Sequence, residues 1–219
     1  MASLPLVREH FAAQGPTWRF VGVCERVSAL LLLVPALPAI FVCAAAMRIF
    51  SGRTPFIAHR RVGWNGSVLW MLKLRTMWET EQSITPARSW VEFIDDEQGP
   101  VRKQAADARV PHGFARFCRR HSLDELPQLW HVIRGEMALV GPRPITRQEM
   151  RSYYGDRAEE VLAVKPGMAG LWQISGRNRL SYSARVRMDL EFVRNRTLRM
   201  YGRILLAAAR EVWTGSGAW

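Results

Sequence analysis

The sequence predicts an α+β protein, mostly helical. A proline-broken helix should dip into a membrane and return, ahead of a compact cytosolic domain with a small β-hairpin or sheet and amphipathic surface helices. Three observations carry that expectation. One long apolar run near the start holds no charge, Asn65-Gly66 lies between two extended-looking runs, and the last third has apolar residues at helical spacing. A chain of 219 residues is long enough for one substantial core.

The elements follow in order. Residues 1–23 scatter Leu4, Val7, Phe11, Trp18 and Phe20 among polar residues, a weak pattern for a segment lying on a membrane surface. Val27 to Met47 is 21 residues without a charge, about 31 Å as a straight helix and enough for a hydrocarbon core. Pro35 and Pro38 interrupt it, each removing a backbone donor and clashing with the preceding turn. Its flanks are both positive, with Arg8, Arg19 and Arg26 before it and Arg48, Arg53, Arg60 and Arg61 after. Positive charge on both sides fits a helix that re-enters better than one that spans. The expected boundaries are an interfacial segment at 1–23, a re-entrant helix at 24–50 and a compact domain at 51–219.

Residues 56–77 read as a β-hairpin turning at Asn65-Gly66. Val68, Trp70, Leu72 and Leu74 would share one face of its second strand, with Lys73 and Arg75 on the other, a cationic face suited to a diphosphate or simply to solvent. Residues 80–112 read as loop. Leu126, Leu129, Trp130 and Ile133 fall on one helical face, and Gly135 ends that helix. Residues 165–178 read as a glycine-rich turn, a short strand and another turn, either a connector or a place where backbone N–H groups and Arg177 meet an anion. Two helices, about 183–195 and 197–213, close the chain. The second carries Leu198, Tyr201, Leu205, Ala208 and Val212 against Arg199, Arg203 and Arg210.

The net charge is +12 and lysine occurs only at 73, 103 and 165, so the excess is arginine. Arginine favours planar recognition of phosphate, which points to nucleic acid, a membrane surface or phosphorylated small molecules. The three cysteines form no C-x-x-C, which suggests neither a disulfide framework nor a zinc site.

In RRHSLDELPQ, residues 119–128, two acids stand together behind three basic residues. Ser122-x-x-Glu125 matches a capping box, but that register puts Pro127 past the first turn. A helix beginning at Asp124 tolerates Pro127 and places both acids at the positive end of its dipole. Capping explains one acid. An ionised aspartate can also be a nucleophile, and an adjacent carboxylate can hold Mg²⁺ with substrate phosphates.

The stretch SLDELPQLWHVIRGEMALVGPRP, followed by KPGMAGLWQISGRN, resembles the bacterial sugar transferase family, the monotopic polyprenyl-phosphate phosphoglycosyl transferases. RRVGWNGSVLWMLKLRTM upstream is similar to that family's RVGxNGxxFxxxKFRSM block, and the likeness runs from about Cys24 to Val212. The resemblance implies that Asp124 attacks the β-phosphate of a UDP-sugar and releases UMP, and that the phosphosugar then passes to polyprenyl phosphate. It implies Glu125 as the Mg²⁺ ligand and Lys73, Arg143 and Arg177 at the nucleotide and phosphate site. Arg75 matches a family arginine with a less defined role, and Asp189 an acid of unassigned role. The catalytic domain would rest on the cytoplasmic leaflet of a bacterial inner membrane, with no nucleic acid as partner. A homodimer is expected, though no residue argues for it. Glu25 stands where an Asp is usual, Val34-Pro35 where Ser-Pro is common, and His131, Glu136 and Ala138 where Asn, Asp and Ser are. Two other readings stay open: a basic nucleic-acid-binding protein, motivated by charge although its arginines are dispersed, and a membrane-attached partner without catalysis.

Overall fold

The structure is a computed structural model, and it describes residues 15–77, 90–95, 110, 113–176 and 180–215. Most of the expected interfacial segment at 1–23 lies outside these residues. Helix α1, Pro16–Ser51, opens with proline in its first turn, where no donor is needed, and closes on Gly52 in the left-handed conformation. It is one helix of 36 residues, and its assignment runs unbroken across Pro35 and Pro38. The expected separate start at residue 24 and break at the prolines are therefore not observed.

Packing accounts for the continuity. Glu25, Ala29, Leu33, Ala36, Ile40, Cys43 and Met47 form a stripe at three- and four-residue spacing, the period of one helical face. Ala29 and Leu33 meet a core with Leu69, Met71, Leu129, Val132 and Met137. Met47 and Cys43 meet another with Leu74, Val110, Ala115 and Cys118. The stripe thus seats α1 along the domain, while both prolines lie on the exposed side, where long helices already loosen their hydrogen bonds. Glu25 fixes one end, its Oε1 accepting from the Leu139 N–H at 2.7 Å and the Tyr201 hydroxyl at 2.7 Å. The opposite flank remains apolar and exposed, including Leu31, Val34, Leu37 and Phe41. Among the described residues α1 is the one helix long and apolar enough to cross a membrane.

Strands β1, Phe56–Val62, and β2, Val68–Leu74, form the expected antiparallel hairpin. Its loop covers residues 63–67, longer than a two-residue turn. Asn65 and Gly66 both have positive φ, as the Asn-Gly signal requires. Within the stretch read as loop lies β3, Val91–Ile94, parallel to β1. The sheet order β2-β1-β3 leaves β2 at an edge. Leu69 and Met71 are the buried residues at the start of β2, so Lys73 emerges from the core-facing side.

Helix α2, Gly113–Arg120, leads to a 3₁₀ turn, Leu123–Gln128, and to α3, Leu129–Arg134. The register differs from expectation. The turn is 3₁₀ and begins at Leu123, and Ser122 sits at its cap in the left-handed conformation without a side-chain cap. A 3₁₀ turn accommodates Pro127 within it. The buried face of α3 is Leu129, His131 and Val132, and Trp130 is exposed. Gly135 caps the helix with φ 75°, as expected.

A second sheet pairs β4, Ala138–Val140, with β5, Gly167–Ala169, in parallel. Helices α4, Arg147–Glu149, α5, Ala158–Leu162, and α6, Leu171–Ile174, are short. Helices α7, Tyr182–Asn195, and α8, Leu198–Thr214, fall within one residue of expectation. Val186, Leu190 and Val193 of α7 are buried as predicted; on α8 Ile204 is buried, with Met200 and Tyr201 packed against the same core, while Leu198, Leu206 and Trp213 stay exposed.

Candidate functional site

The acid pair occupies the first turn of the 3₁₀ segment, with Asp124 buried and Glu125 half-buried. The Glu125 N–H donates to the Ser122 carbonyl at 3.0 Å, which sets the turn. Two cations from distant elements converge on one oxygen of Glu125. Lys73 Nζ, from β2, donates to Oε1 at 2.8 Å, and Arg143 Nη2 donates to the same atom at 3.0 Å.

Arg143 owes its place to backbone crowding. Gly141 N–H donates to the Ala169 carbonyl at 2.9 Å, and Gly167 N–H to the Pro142 carbonyl at 2.7 Å. A Cβ on Gly167 would stand 2.0 Å from the Gly141 nitrogen. Only glycine lets the two chains approach so closely. The glycine-rich stretch thus holds the turn that carries Arg143, and its Gly167 N–H is spent on that turn rather than on an anion.

The electrostatics are those of a partly desolvated cationic pocket. Burial pushes the Lys73 ammonium below the usual lysine range, with Glu125 pulling it back and Arg143 adding to the fall. Burial would also lower Arg143, but Glu125, Glu149 and Asp124 together outweigh it and leave it raised. His59 on β1 is pushed down to about 3, first by burial and then by Arg61, Lys73 and Arg75. It is therefore neutral.

The other expected site residues divide. Arg75 is not brought to the pair. It is 1% exposed, its Nε donates to the Thr54 carbonyl at 2.7 Å, and its Nη2 binds both the Thr54 hydroxyl at 3.0 Å and Glu92. Arg177 lies outside the described residues. Asp189 lies in a buried polar cluster of its own, within electrostatic reach of Arg143. Its Oδ2 accepts from the Tyr154 hydroxyl at 2.7 Å, and its Oδ1 is buried with no hydrogen-bond partner among the described residues. Burial pushes its carboxyl up to about 7, against the pull of Tyr154.

Sequence reasoning missed the rest of that cluster. Tyr182 donates to Glu149 at 3.1 Å and stacks on Tyr153 with centroids 4.1 Å apart. The Arg185 guanidinium lies between Tyr182 and Trp172. The one local signal was Thr146-x-x-Glu149, which forms a complete capping box.

The donor set for a metal is small. Among the described residues no three His, Cys, Asp or Glu side chains cluster. Mg²⁺ needs no such cage, because it takes one or two carboxylates and fills its shell with phosphate oxygens and water. The hard oxygens of Glu125, beside Asp124, fit an ion that arrives with a diphosphate.

Two convergent cations on Glu125, beside Asp124 and on a domain seated along a long apolar helix, make an arrangement suited to chemistry on phosphates. The bacterial sugar transferase family matches residues 18–215, and the chain belongs to that family of phosphoglycosyl transferases. It is 40% identical over 191 residues to the exopolysaccharide production protein ExoY of Rhizobium meliloti, covering 84% of this chain and 80% of that one. It is 39% identical to the UDP-galactose-lipid carrier transferase of Erwinia amylovora, over 83% of this chain and 36% of that protein. It is likewise 39% identical to the undecaprenyl-phosphate galactose phosphotransferase of Salmonella typhimurium, over 77% of this chain and 35% of that protein. The chain thus spans about a third of these two longer relatives. Family membership makes the protein a transferase, ahead of the nucleic-acid-binding and non-catalytic readings.

Proposed function

We propose that this enzyme moves a sugar-1-phosphate from a UDP-sugar to polyprenyl phosphate and releases UMP. The observation that carries the reading is the acid pair itself, with Glu125 held by Lys73 and Arg143 from two separate elements. In the first step an Asp124 oxygen attacks the β-phosphorus. The bond from that phosphorus to the bridging oxygen breaks, and UMP leaves with the bond's electrons. A phosphosugar then stands on the carboxylate. In the second step an oxygen of polyprenyl phosphate attacks the same phosphorus, and Asp124 is restored. Lys73 and Arg143 neutralise charge on the equatorial oxygens as it spreads. Glu125 would hold Mg²⁺ against the diphosphate, where the ion supplies further charge neutralisation.

The relatives' names make UDP-galactose the first donor to try. The exposed apolar flank of α1 supports seating in one leaflet, with the acid pair facing the cytoplasm, as a monotopic rather than spanning protein. We extend the proposal to a homodimer, testable by cross-linking in vesicles. The decisive experiment is Mg²⁺-dependent UMP release from UDP-galactose and a panel of other UDP-sugars, with intact-mass detection of the covalent phosphosugar. Asp124→Asn should abolish both. Full turnover by that variant would remove Asp124 as nucleophile.

A further inference from the structure

We infer that His131 is a positioning residue for this reaction, joining the sheet edge that carries Lys73 to the helical segment that carries Asp124 and Glu125. The inference rests on the function proposed above.

Strand β2 is at the edge of its sheet, so backbone N–H groups along it face away from β1. One of them, on Leu72, donates to His131 Nε2 at 3.2 Å. Leu72 directly precedes Lys73, and His131 lies six residues after Glu125. The histidine link therefore crosses the same gap as the 2.8 Å contact between Lys73 and Glu125.

An imidazole nitrogen that accepts a backbone N–H cannot carry the ring proton, so in this arrangement the proton sits on Nδ1. Nδ1 faces Glu136 Oε2 at 2.6 Å and donates to it. Glu136 Oε1 in turn pairs with Arg134 Nε at 2.8 Å. The turn at Gly135 builds this arrangement, because the Glu136 N–H returns to the His131 carbonyl at 2.9 Å. His131 is buried, so water does not readily replace a lost partner. Both departures from the family pattern at 131 and 136 are thus one contact.

The link is tested in full-length enzyme reconstituted in vesicles, by UMP release and by the rate of covalent adduct formation. His131→Leu keeps volume without an acceptor. It should lower kcat by about tenfold to a hundredfold while the donor KM moves less than about threefold, because the loss is one of alignment. His131→Gln places a carbonyl oxygen near the position of Nε2 and should recover to within about threefold of the parent. If His131→Leu folds poorly, Glu136→Leu serves instead. It frees the ring to put its proton toward Leu72 and should slow adduct formation, while Glu136→Gln, still an acceptor, should not. A parental kcat in His131→Leu, or equal losses in the leucine and glutamine variants at either position, overturns the inference. Absence of UMP release by the parent enzyme would instead overturn the proposed function.

Discussion

Lys73 and Arg75 stand two residues apart, are both cations, and both meet a glutamate. Their surroundings differ. Lys73 shares Glu125 with Arg143 and is 14% exposed, at the mouth of the acid pair. Arg75 is enclosed with Glu92 and Thr54, and the pair joins the end of β2 to β3. The first glutamate has two cations on one oxygen and stands next to a second carboxylate. The second has one planar guanidinium and a hydroxyl, a set with its charges matched. An arrangement that concentrates unlike charges suits a substrate bringing its own. A matched, buried pair suits a joint between strands.

The largest expected effect therefore comes from Arg75. Arg75→Met leaves the Glu92 carboxylate buried and unpaired, which should cost roughly 3–5 kcal/mol of stability. That corresponds to a melting temperature lower by roughly 10 °C in a chain of this size. The kcat of the molecules that remain folded should stay near the parent's. A large loss of kcat at unchanged melting temperature would return Arg75 to the site.

Lys73→Met should do the reverse. Removing an electrostatic stabiliser of the transferring group should lower kcat by about 10²–10³-fold. Glu125 keeps Arg143, so the melting temperature should move by only a few degrees. Single-turnover adduct formation at saturating donor separates this from weaker binding. A parental rate would remove Lys73 from the reaction.

The contrast also shows what the sequence could reveal. Alternation along a strand puts residues 73 and 75 on one side, but β2 ends at Leu74, and burial decides the rest. Glu92 was the missing information. It lies on a four-residue strand paired in parallel with β1, a long-range contact that no local pattern reports. Features that depend on neighbours in sequence were legible: the Asn65-Gly66 hairpin, the Gly135 cap, and the core face of α7. The adjacency of Asp124 and Glu125 was legible too, but the convergence on Glu125 was not, because Lys73 and Arg143 are 52 and 18 residues away. Pro35 and Pro38 predict an interruption of the apolar helix, and the helical assignment of α1 runs across both.

Asp189 extends the comparison to a carboxylate that has neither arrangement. Its folded-state pKa of about 7 lies above the unfolded value, so the folded state binds the proton more tightly. Its contribution to stability is fully present below the unfolded value of 3.8 and is lost progressively as pH rises from there through about 7. Asp189→Asn keeps an acceptor for Tyr154 and cannot ionise. It should flatten the fall in stability between pH 5 and pH 8, raising the pH 8 value by about 1–3 kcal/mol. Denaturant melts of both proteins at the two pH values measure this. An unchanged slope would place the charge of Asp189 on a partner outside the described residues.

The smallest effect is expected where both members of the matched pair are replaced. Arg75→Met with Glu92→Leu removes two buried charges together, so neither is stranded. Such swaps are often neutral or stabilising, because the desolvation of both ions is recovered. The double variant should melt within a few degrees of the parent, well above Arg75→Met alone, and should turn over normally. Its residual cost lies at Thr54, whose hydroxyl loses Arg75 and Glu92 and whose carbonyl loses the Arg75 Nε donor, together roughly 1–3 kcal/mol for buried polar groups left unpaired. If the double variant were as unstable as the single one, the guanidinium would be holding Thr54 and the chain that follows α1 rather than balancing Glu92. If it were stable but inactive, the pair would be aligning the end of β2 for Lys73, and the division between a joint and a site would not hold.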